Sequence, residues 1–196
     1  MGLTMGTRED ILTAIRERRP PSRELPQIPD FHHKADDLTG LFAAALARLD
    51  GNTITQPPDD LQQWLTRTFP HAQRVCSTVP EAAGTINPAE LTDWAAPADI
   101  DVTVVRSPLG VAETGSILVT EKELGVNTIA TLAEHLVVLL DPVDLVDNIH
   151  TAYSHPSFQD AAYAVLLSGP SGSADIGGVT VHPAQGVTTL TVILTP

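Results

Sequence analysis

The sequence has one cysteine, Cys76, and aromatic residues fill only 4% of its 196 positions. A single thiol excludes an internal disulfide, and by itself it cannot build a zinc or iron–sulfur site. Because Cys76 lies in a short strand-like run, we expect a buried and unreactive thiol. With so few aromatic rings, the predicted core consists mostly of Val, Ile, Leu and Ala.

Basic residues are scarce as well: 11 Lys and Arg stand against 24 Asp and Glu, giving a net charge of −13. Nucleic acids and anionic membranes are bound through concentrated positive charge, so this composition argues against both partners. The sequence shows no long apolar run that would insert into a membrane and no signal-peptide pattern. We therefore expect a cytoplasmic protein.

The hydrophobic pattern divides the chain into two parts. Residues 1–35 are predicted to form an N-terminal helix, over 7–19, and a proline-rich connector. Residues 36–196 are predicted to form the main domain, which begins with the clearest helix, over 36–50. Gly51 is expected to supply the left-handed residue that ends this helix.

Short apolar strands alternate with amphipathic helices over the rest of the chain. The continuous apolar run 136–140 is typical of a strand covered on both faces. Further helices are predicted over 58–69, from Pro142 to Ile149 and over 157–163. Further strands are predicted over 53–55, near Val75, and over 101–105, 116–120, 164–167 and 190–194. This alternation indicates an α/β fold with helices on both faces of the sheet.

Two polar loops interrupt the apolar segments, at 112–116 and 168–176. Ligands of α/β sheets bind beyond the carboxyl ends of the strands, and we expect both loops to meet there around one hollow. In the second loop, Gly169 and Gly172 permit unusual φ angles, while Ser171 and Ser173 add hydroxyl groups. Such a loop can bind an anion through its backbone N–H groups. An ordinary turn after a strand is the alternative.

Glu113 is the candidate catalytic group, because a partly buried carboxylate can act as a nucleophile or carry a proton. The alternative is a carboxylate that only accepts hydrogen bonds from its own turn. His135 stands at the entrance to the 136–140 strand, where a histidine is more often a structural hydrogen-bond donor than a base. No metal site is predicted, because the histidines are not grouped with carboxylates in a ligand spacing.

Several motifs together resemble the LUD-domain family, the lactate-utilisation protein C group. Ala-Glu-Thr-Gly-Ser at 112–116 is similar to the family's Ala-Glu-Thr-Gly-Thr, and His-Leu-Val-Val at 135–138 is similar to its His-Ile-Val-Val. Ser-Gly-Pro-Ser at 168–171 and Ala-Asp-Ile at 174–176 resemble its Ser-Gly-Pro-Ser-Arg-Thr-Ala-Asp-Ile-Glu. Gln185-Gly186 falls where the family has His-Gly-Pro or Gln-Gly-Pro.

The resemblance implies a three-layer α/β/α domain with a mostly parallel sheet, similar to ribose-phosphate isomerases, sugar-phosphate deaminases and CoA transferases. It also implies a part in L-lactate oxidation to pyruvate, beside partner proteins that carry the iron–sulfur clusters, since this chain has no cofactor site of its own. A small organic acid or phosphate-type ligand is expected between the two loops. Besides Glu113, the candidate site residues are Thr114, Gly115, Ser116, His135, Gly169, Pro170, Ser171, Ser173, Asp175, Gln185 and Gly186.

The chain departs from the family pattern at three positions. Gly172 replaces the usual basic residue, Gly177 the usual Glu and Val187 the usual Pro. Loss of the basic side chain leaves only amides and hydroxyls for capturing an anion. Three functions stay open: a ligand-binding subunit of lactate metabolism, a non-catalytic assembly subunit, and a transferase that uses Glu113 as CoA transferases of this fold use a glutamate.

Overall fold

A computed structural model describes residues 7–24, 26–27, 29, 36–91, 93–174, 180–181 and 186–196. The chain forms two compact units, Met1–Asp30 and Phe31–Pro196. In the first unit, helix α1 (Arg8–Glu17) begins after Thr7, whose hydroxyl accepts the N–H of Asp10. The Asp10 carboxylate accepts the Thr7 N–H in return, and this capping box fixes the predicted start of the helix.

The helices of the second unit are α2 (Leu38–Ala47), α3 (Leu61–Thr68), α4 (Glu121–Leu124), α5 (Ile129–Leu132), α6 (Ile149–Ser154) and α7 (Pro156–Gln159). The carboxylate of Asp37 caps α2 and that of Asp60 caps α3, which confirms both helices in shortened form. None of the helices in the described ranges is long and apolar enough to cross a bilayer.

The end of α2 differs from the prediction. The left-handed residue is Asp50, with φ of 61°, and not Gly51. Gly51 is required for space instead, because a Cβ atom there would lie 2.3 Å from Leu46 Cδ1. The N–H of Gly51 donates to the Leu46 carbonyl, which closes the helix end.

The strands are, in chain order, β1 (Asn52–Ile54), β2 (Val75–Ser77), β3 (Val102–Ser107), β4 (Gly110–Val111), β5 (Ser116–Thr120), β6 (His135–Leu140), β7 (Leu145–Val146), β8 (Ala164–Leu167), β9 (Ser173–Ala174), β10 (Thr180–Val181) and β11 (Thr189–Leu194). Within the described residues, five of them form a sheet in the order β1-β11-β6-β3-β2, and every neighbouring pair is parallel. The predicted apolar strand is its centre, β6, and the expected mostly parallel α/β fold is confirmed.

A second sheet, in the order β7-β4-β5-β8, packs against one face of the parallel sheet. Ile117 and Val119 of β5 share a core with Val138 of β6. The opposite face of β6 packs against α3, through Val137 and Leu65. One face of the parallel sheet is therefore covered by a helix as expected. The other is covered by a sheet together with α2, α4 and α5.

The predicted helix beginning at Pro142 is wrong. Residues Pro142–Asp144 make a single 3-10 turn, β7 follows, and α6 begins only after Asn148. Val146, one of the apolar residues of that segment, belongs to β7 and pairs with Val111 of β4. The local sequence pattern could not predict this pairing, because β4 lies more than thirty residues earlier in the chain.

Candidate functional site

The two polar loops meet at one edge of the second sheet. Strands β5 and β8 are antiparallel with Ile117 opposite Leu167, so the start of β5 lies beside the end of β8. The Oγ atoms of Ser116 and Ser168 are 2.5 Å apart, and Thr114 Oγ1 lies 2.6 Å from Ser116 Oγ. A chain of three hydroxyl groups therefore joins segments that are separated by 52 positions in the sequence.

The place of this meeting differs from the expectation. Both loops flank β5 and β8, an antiparallel pair of the mixed second sheet, and they do not lie at the carboxyl ends of the strands of the parallel sheet. The reason is that β5 and β8 pair with each other instead of joining β6. Sequence periodicity predicts a strand but carries no information on which sheet it enters.

A cavity of about 240 Å³ lies beside the second loop. Its lining residues are Ala130, Thr131, Leu136, Leu166, Leu167, Ser168, Gly169, Pro170, Ser171 and Val187. The strand side of the cavity is apolar, while Thr131, Ser168 and Ser171 contribute hydroxyl groups. Among the described residues, no charged side chain lines this cavity. The side chains that could bind a ligand acid group there are the hydroxyl groups.

The last turn of α2 holds both loops in place, a role that the sequence did not reveal. Gly115 has φ of +63°, and a Cβ atom there would lie 2.3 Å from the backbone nitrogen of Leu46. Gly169 has φ of +77°, and its Cβ atom would lie 2.2 Å from the carbonyl oxygen of Leu49. Both glycines are therefore needed for their backbone angle and for close contact, Gly115 with the end of α2 and Gly169 with the turn that follows α2.

Val187 forms another wall of the site, and Gly186 precedes it without lining the cavity. Gly186 has φ of +93°, and a Cβ atom there would lie 2.1 Å from the Thr131 carbonyl oxygen. The N–H of Ser171 donates to the Val187 carbonyl at 2.7 Å, which ties this wall to the second loop. Ser173 is exposed in β9, and it does not line the cavity. Asp175 and Gln185 lie outside the described residues.

Glu113 is exposed and does not line the cavity. Its Oε2 accepts the N–H of Ile149 at 3.2 Å, at the first turn of α6, and its own N–H donates to the Asp147 carbonyl at 3.0 Å. The carboxylate therefore accepts its hydrogen bond from a distant segment and not from its own turn. Negative charge at this position also suits the positive end of the α6 dipole.

His135 lies on the opposite face of the parallel sheet from the cavity. Its ring stacks against Phe69 with centroids 4.7 Å apart, and its Nδ1 atom is 2.9 Å from Thr189 Oγ1. Successive side chains of a strand alternate between faces, so the next residue, Leu136, reaches the cavity while His135 does not. The role that this geometry supports for His135 is a structural hydrogen bond.

Cys76 is fully buried, and burial raises the pKa of its thiol. The expectation of a buried cysteine is confirmed, and a raised pKa disfavours the reactive thiolate. Within the described ranges, no group of three His, Cys, Asp or Glu side chains is arranged to hold a metal ion.

Of the site residues that the sequence did not single out, Ser168 had the clearest signal, because it begins the Ser-Gly-Pro-Ser motif. Thr131 enters the cavity through long-range packing, and no local pattern marks it. Val187 is marked only as a departure from the family pattern. Ser168 is the member of the hydroxyl chain that lines the cavity, and Thr114, Gly115 and Ser116 lie behind it without lining the cavity. Glu113 and His135 do not line it either.

The LUD domain family model matches residues 90–195, which is more than half of the chain and includes both loops. The chain belongs to the LUD-domain family. This family is linked to lactate utilisation.

Among solved structures, this LUD-domain chain is similar to a DUF162 family protein from Deinococcus radiodurans, with a TM-score of 0.63 and 13% sequence identity. The match covers 82% of this chain and 97% of that chain. At this identity, the likeness shows the fold alone. No curated protein matches the sequence.

Proposed function

We propose that this LUD-domain chain takes part in L-lactate utilisation by binding a small organic acid in the cavity beside the Ser168–Ser171 loop. The observation that carries the proposal is the hydroxyl chain from Thr114 through Ser116 to Ser168, which joins two family motifs and whose last member, Ser168, lines that cavity. Hydroxyl groups and backbone N–H groups are suited to binding a carboxylate without a cationic side chain.

Oxidation of lactate to pyruvate removes two electrons and two protons, so it requires an electron acceptor. This chain has one cysteine, which cannot hold an iron–sulfur cluster. The proposal therefore includes partner proteins that carry the clusters, while this chain supplies ligand binding. Its cavity suits a compact acid with an apolar end, because the strand side of the cavity is apolar.

The test is ligand-dependent heat stability, measured for L-lactate and pyruvate with the full chain. A ligand at about 100 times its dissociation constant stabilises the folded state by about 2.7 kcal/mol, and the unfolding midpoint rises accordingly. Ser168→Ala removes the last hydroxyl of the chain and is expected to weaken binding about tenfold. Ser154→Ala is the matched control. That serine is exposed, and its hydroxyl donates to the His150 carbonyl within α6.

Stabilisation that is lost in Ser168→Ala and kept in Ser154→Ala would support the proposal. The absence of any shift with either acid would contradict it, as would an equal shift in both variants. Lactate-dependent growth of cells that carry Ser171→Ala gives a second test of the same cavity.

A second candidate is a non-catalytic assembly subunit. The observation that favours it is the position of Glu113, whose carboxylate is bound to α6 and not turned to the cavity. Copurification of an iron–sulfur protein with the Glu113→Gln variant, at the wild-type yield, would support this candidate. A covalent adduct on Glu113 after incubation with an acyl-CoA would instead support the transferase alternative.

A further inference from the structure

Between Val75 and Pro196 the sequence contains fourteen acidic residues and only two basic residues, Arg106 and Lys122. Both basic residues line one cleft of about 600 Å³. The positive charge of this whole part of the chain is therefore concentrated at a single place. In a protein with a net charge of −13, these two side chains are the cationic groups of this part of the chain that can bind a small anion.

The cleft lies at the carboxyl ends of parallel strands. Arg106 is the fifth of the six residues of β3, and Thr78, which also lines the cleft, directly follows β2. Ligands of open α/β sheets bind at this end of the strands. The serine-lined cavity is different, because it contains Leu136 from the beginning of β6 and shares no lining residue with the cleft.

Four carboxylates lie near the residues of the cleft: Glu81, Glu90, Glu121 and Glu123. Each already accepts hydrogen bonds; Glu90 accepts the Asn87 amide, and Glu121 accepts the N–H groups of Ala162 and Tyr163. Arg106 Nη2 lies 2.5 Å from Glu81 Oε1, and the guanidinium has further N–H donors. The Glu123 carboxylate accepts the N–H and the hydroxyl of Thr120 in the capping box of α4. Lys122 is exposed. Its ammonium group can therefore move to meet an anion from solvent.

The walls of the cleft are largely apolar, formed by Pro88, Ala89, Leu91, Leu124 and Val126. The hydroxyl of Thr78 adds a polar group, while the Asn87 amide donates to Glu90 and accepts the Ala89 N–H. Apolar walls with a few polar and charged groups are typical of sites for small organic molecules. The volume is large enough for a compact organic ligand and exceeds the needs of an inorganic ion.

We propose that this cleft is a second ligand site, for an organic anion whose carboxylate or phosphate group binds to Arg106 and Lys122 while its apolar body packs on the walls. The inference does not depend on ligand binding in the serine-lined cavity. It rests on the charge distribution and on the position of the cleft in the sheet.

The experiment measures binding of benzoate, phenyl phosphate and neutral benzyl alcohol to the full chain by titration calorimetry. Benzoate or phenyl phosphate is expected to bind, and the stronger of the two identifies the acid group that the cleft prefers. Benzyl alcohol is expected to bind at least about tenfold more weakly, because it has no charge. Equal affinity for all three probes would overturn the proposal, and so would no binding of either anion.

Variants then locate the site. Lys122→Gln is expected to weaken anion binding about tenfold, and Arg106→Gln by at least as much. Arg67→Gln is the matched control, since Arg67 is an exposed basic residue on α3, outside the cleft. Ser168→Ala tests the other cavity and is expected to leave this affinity unchanged. Equal affinity in Lys122→Gln and Arg67→Gln would overturn the proposal, even if Arg106→Gln failed to fold.

Glu81→Gln gives a change in the opposite direction. Loss of the ion pair frees Arg106 and removes a negative charge near the cleft, so anion affinity is expected to rise about threefold. A gain in affinity cannot result from partial unfolding and would support the proposal. A fall in affinity would contradict it.

Discussion

Single glycines decide how closely the two loops approach α2. Gly115 and Gly125 both have positive φ, at +63° and +67°. They differ in surroundings: a Cβ atom at Gly115 would lie 2.3 Å from Leu46 N, whereas nothing lies within 4 Å of one at Gly125. The pair therefore separates the effect of backbone angle from the effect of close packing.

We expect Gly125→Ala to lower the free energy of unfolding by about 1–2 kcal/mol, because φ of 67° with ψ of −64° is a γ-turn conformation that is strained for alanine. Gly115→Ala is expected to lower it by about 3 kcal/mol or more, because the Leu46 backbone must also move. Urea unfolding of both variants gives the comparison. Equal losses would show that α2 does not press on the first loop.

Glu113 allows a second prediction at this scale. Glu113→Ala removes the acceptor of the Ile149 N–H and is expected to lower the free energy of unfolding by about 1 kcal/mol. Glu113→Gln keeps an acceptor and loses only the charge, with an expected loss of about 0.5 kcal/mol. If lactate-dependent growth fails in Glu113→Gln while its urea unfolding stays near wild type, a chemical role for the carboxylate is supported.

At the scale of elements, one carboxylate fastens the beginnings of β2 and β3. Asp101 precedes β3, and its Oδ2 accepts the N–H groups of Arg74 and Gln73 at 2.8 and 2.7 Å. Both hydrogen bonds lower the pKa of Asp101 from its ordinary value of 3.8, and the one from the Arg74 N–H has the larger effect. The charged form is therefore the one that the folded state favours.

This pKa shift gives a pH dependence with a definite sign. Because the folded-state pKa lies below the unfolded-state value of 3.8, the stabilisation is fully present above that value and is lost as pH falls through the folded-state pKa. Asp101→Asn is expected to be less stable than wild type at neutral pH, and the difference should shrink in acid. Urea unfolding at several pH values between neutral and acid measures this difference in stability. Asp160→Asn is the control, because Asp160 is an exposed residue after α7. A constant difference at all pH values would contradict the assignment.

At the scale of the whole molecule, the charge is unevenly divided. Residues 1–30 contain five acidic and five basic residues, so the net charge of −13 belongs to residues 31–196. An excess of one sign destabilises the compact state through self-repulsion. Most of the acidic side chains are exposed, where dissolved salt screens their interaction.

We therefore expect the second unit to become more stable as salt is added. Raising NaCl from ~10 to ~200 mM shortens the Debye length from about 30 Å to less than 10 Å, which should raise the urea midpoint. A lower midpoint at the higher salt concentration would show that attractive ion pairs, such as Arg106 with Glu81, outweigh the general repulsion.

The sequence by itself determined the main helices, the buried central strand 136–140 and the family motifs, because apolar periodicity and capping residues act over a few neighbouring positions. The tertiary structure alone decided that β5 and β8 form a second sheet, which brings Ser116 to Ser168 across 52 positions. It also turned Glu113 to α6 and His135 to the face opposite the cavity. Strand partners and the directions of individual side chains depend on contacts between distant segments, and no local pattern records those contacts.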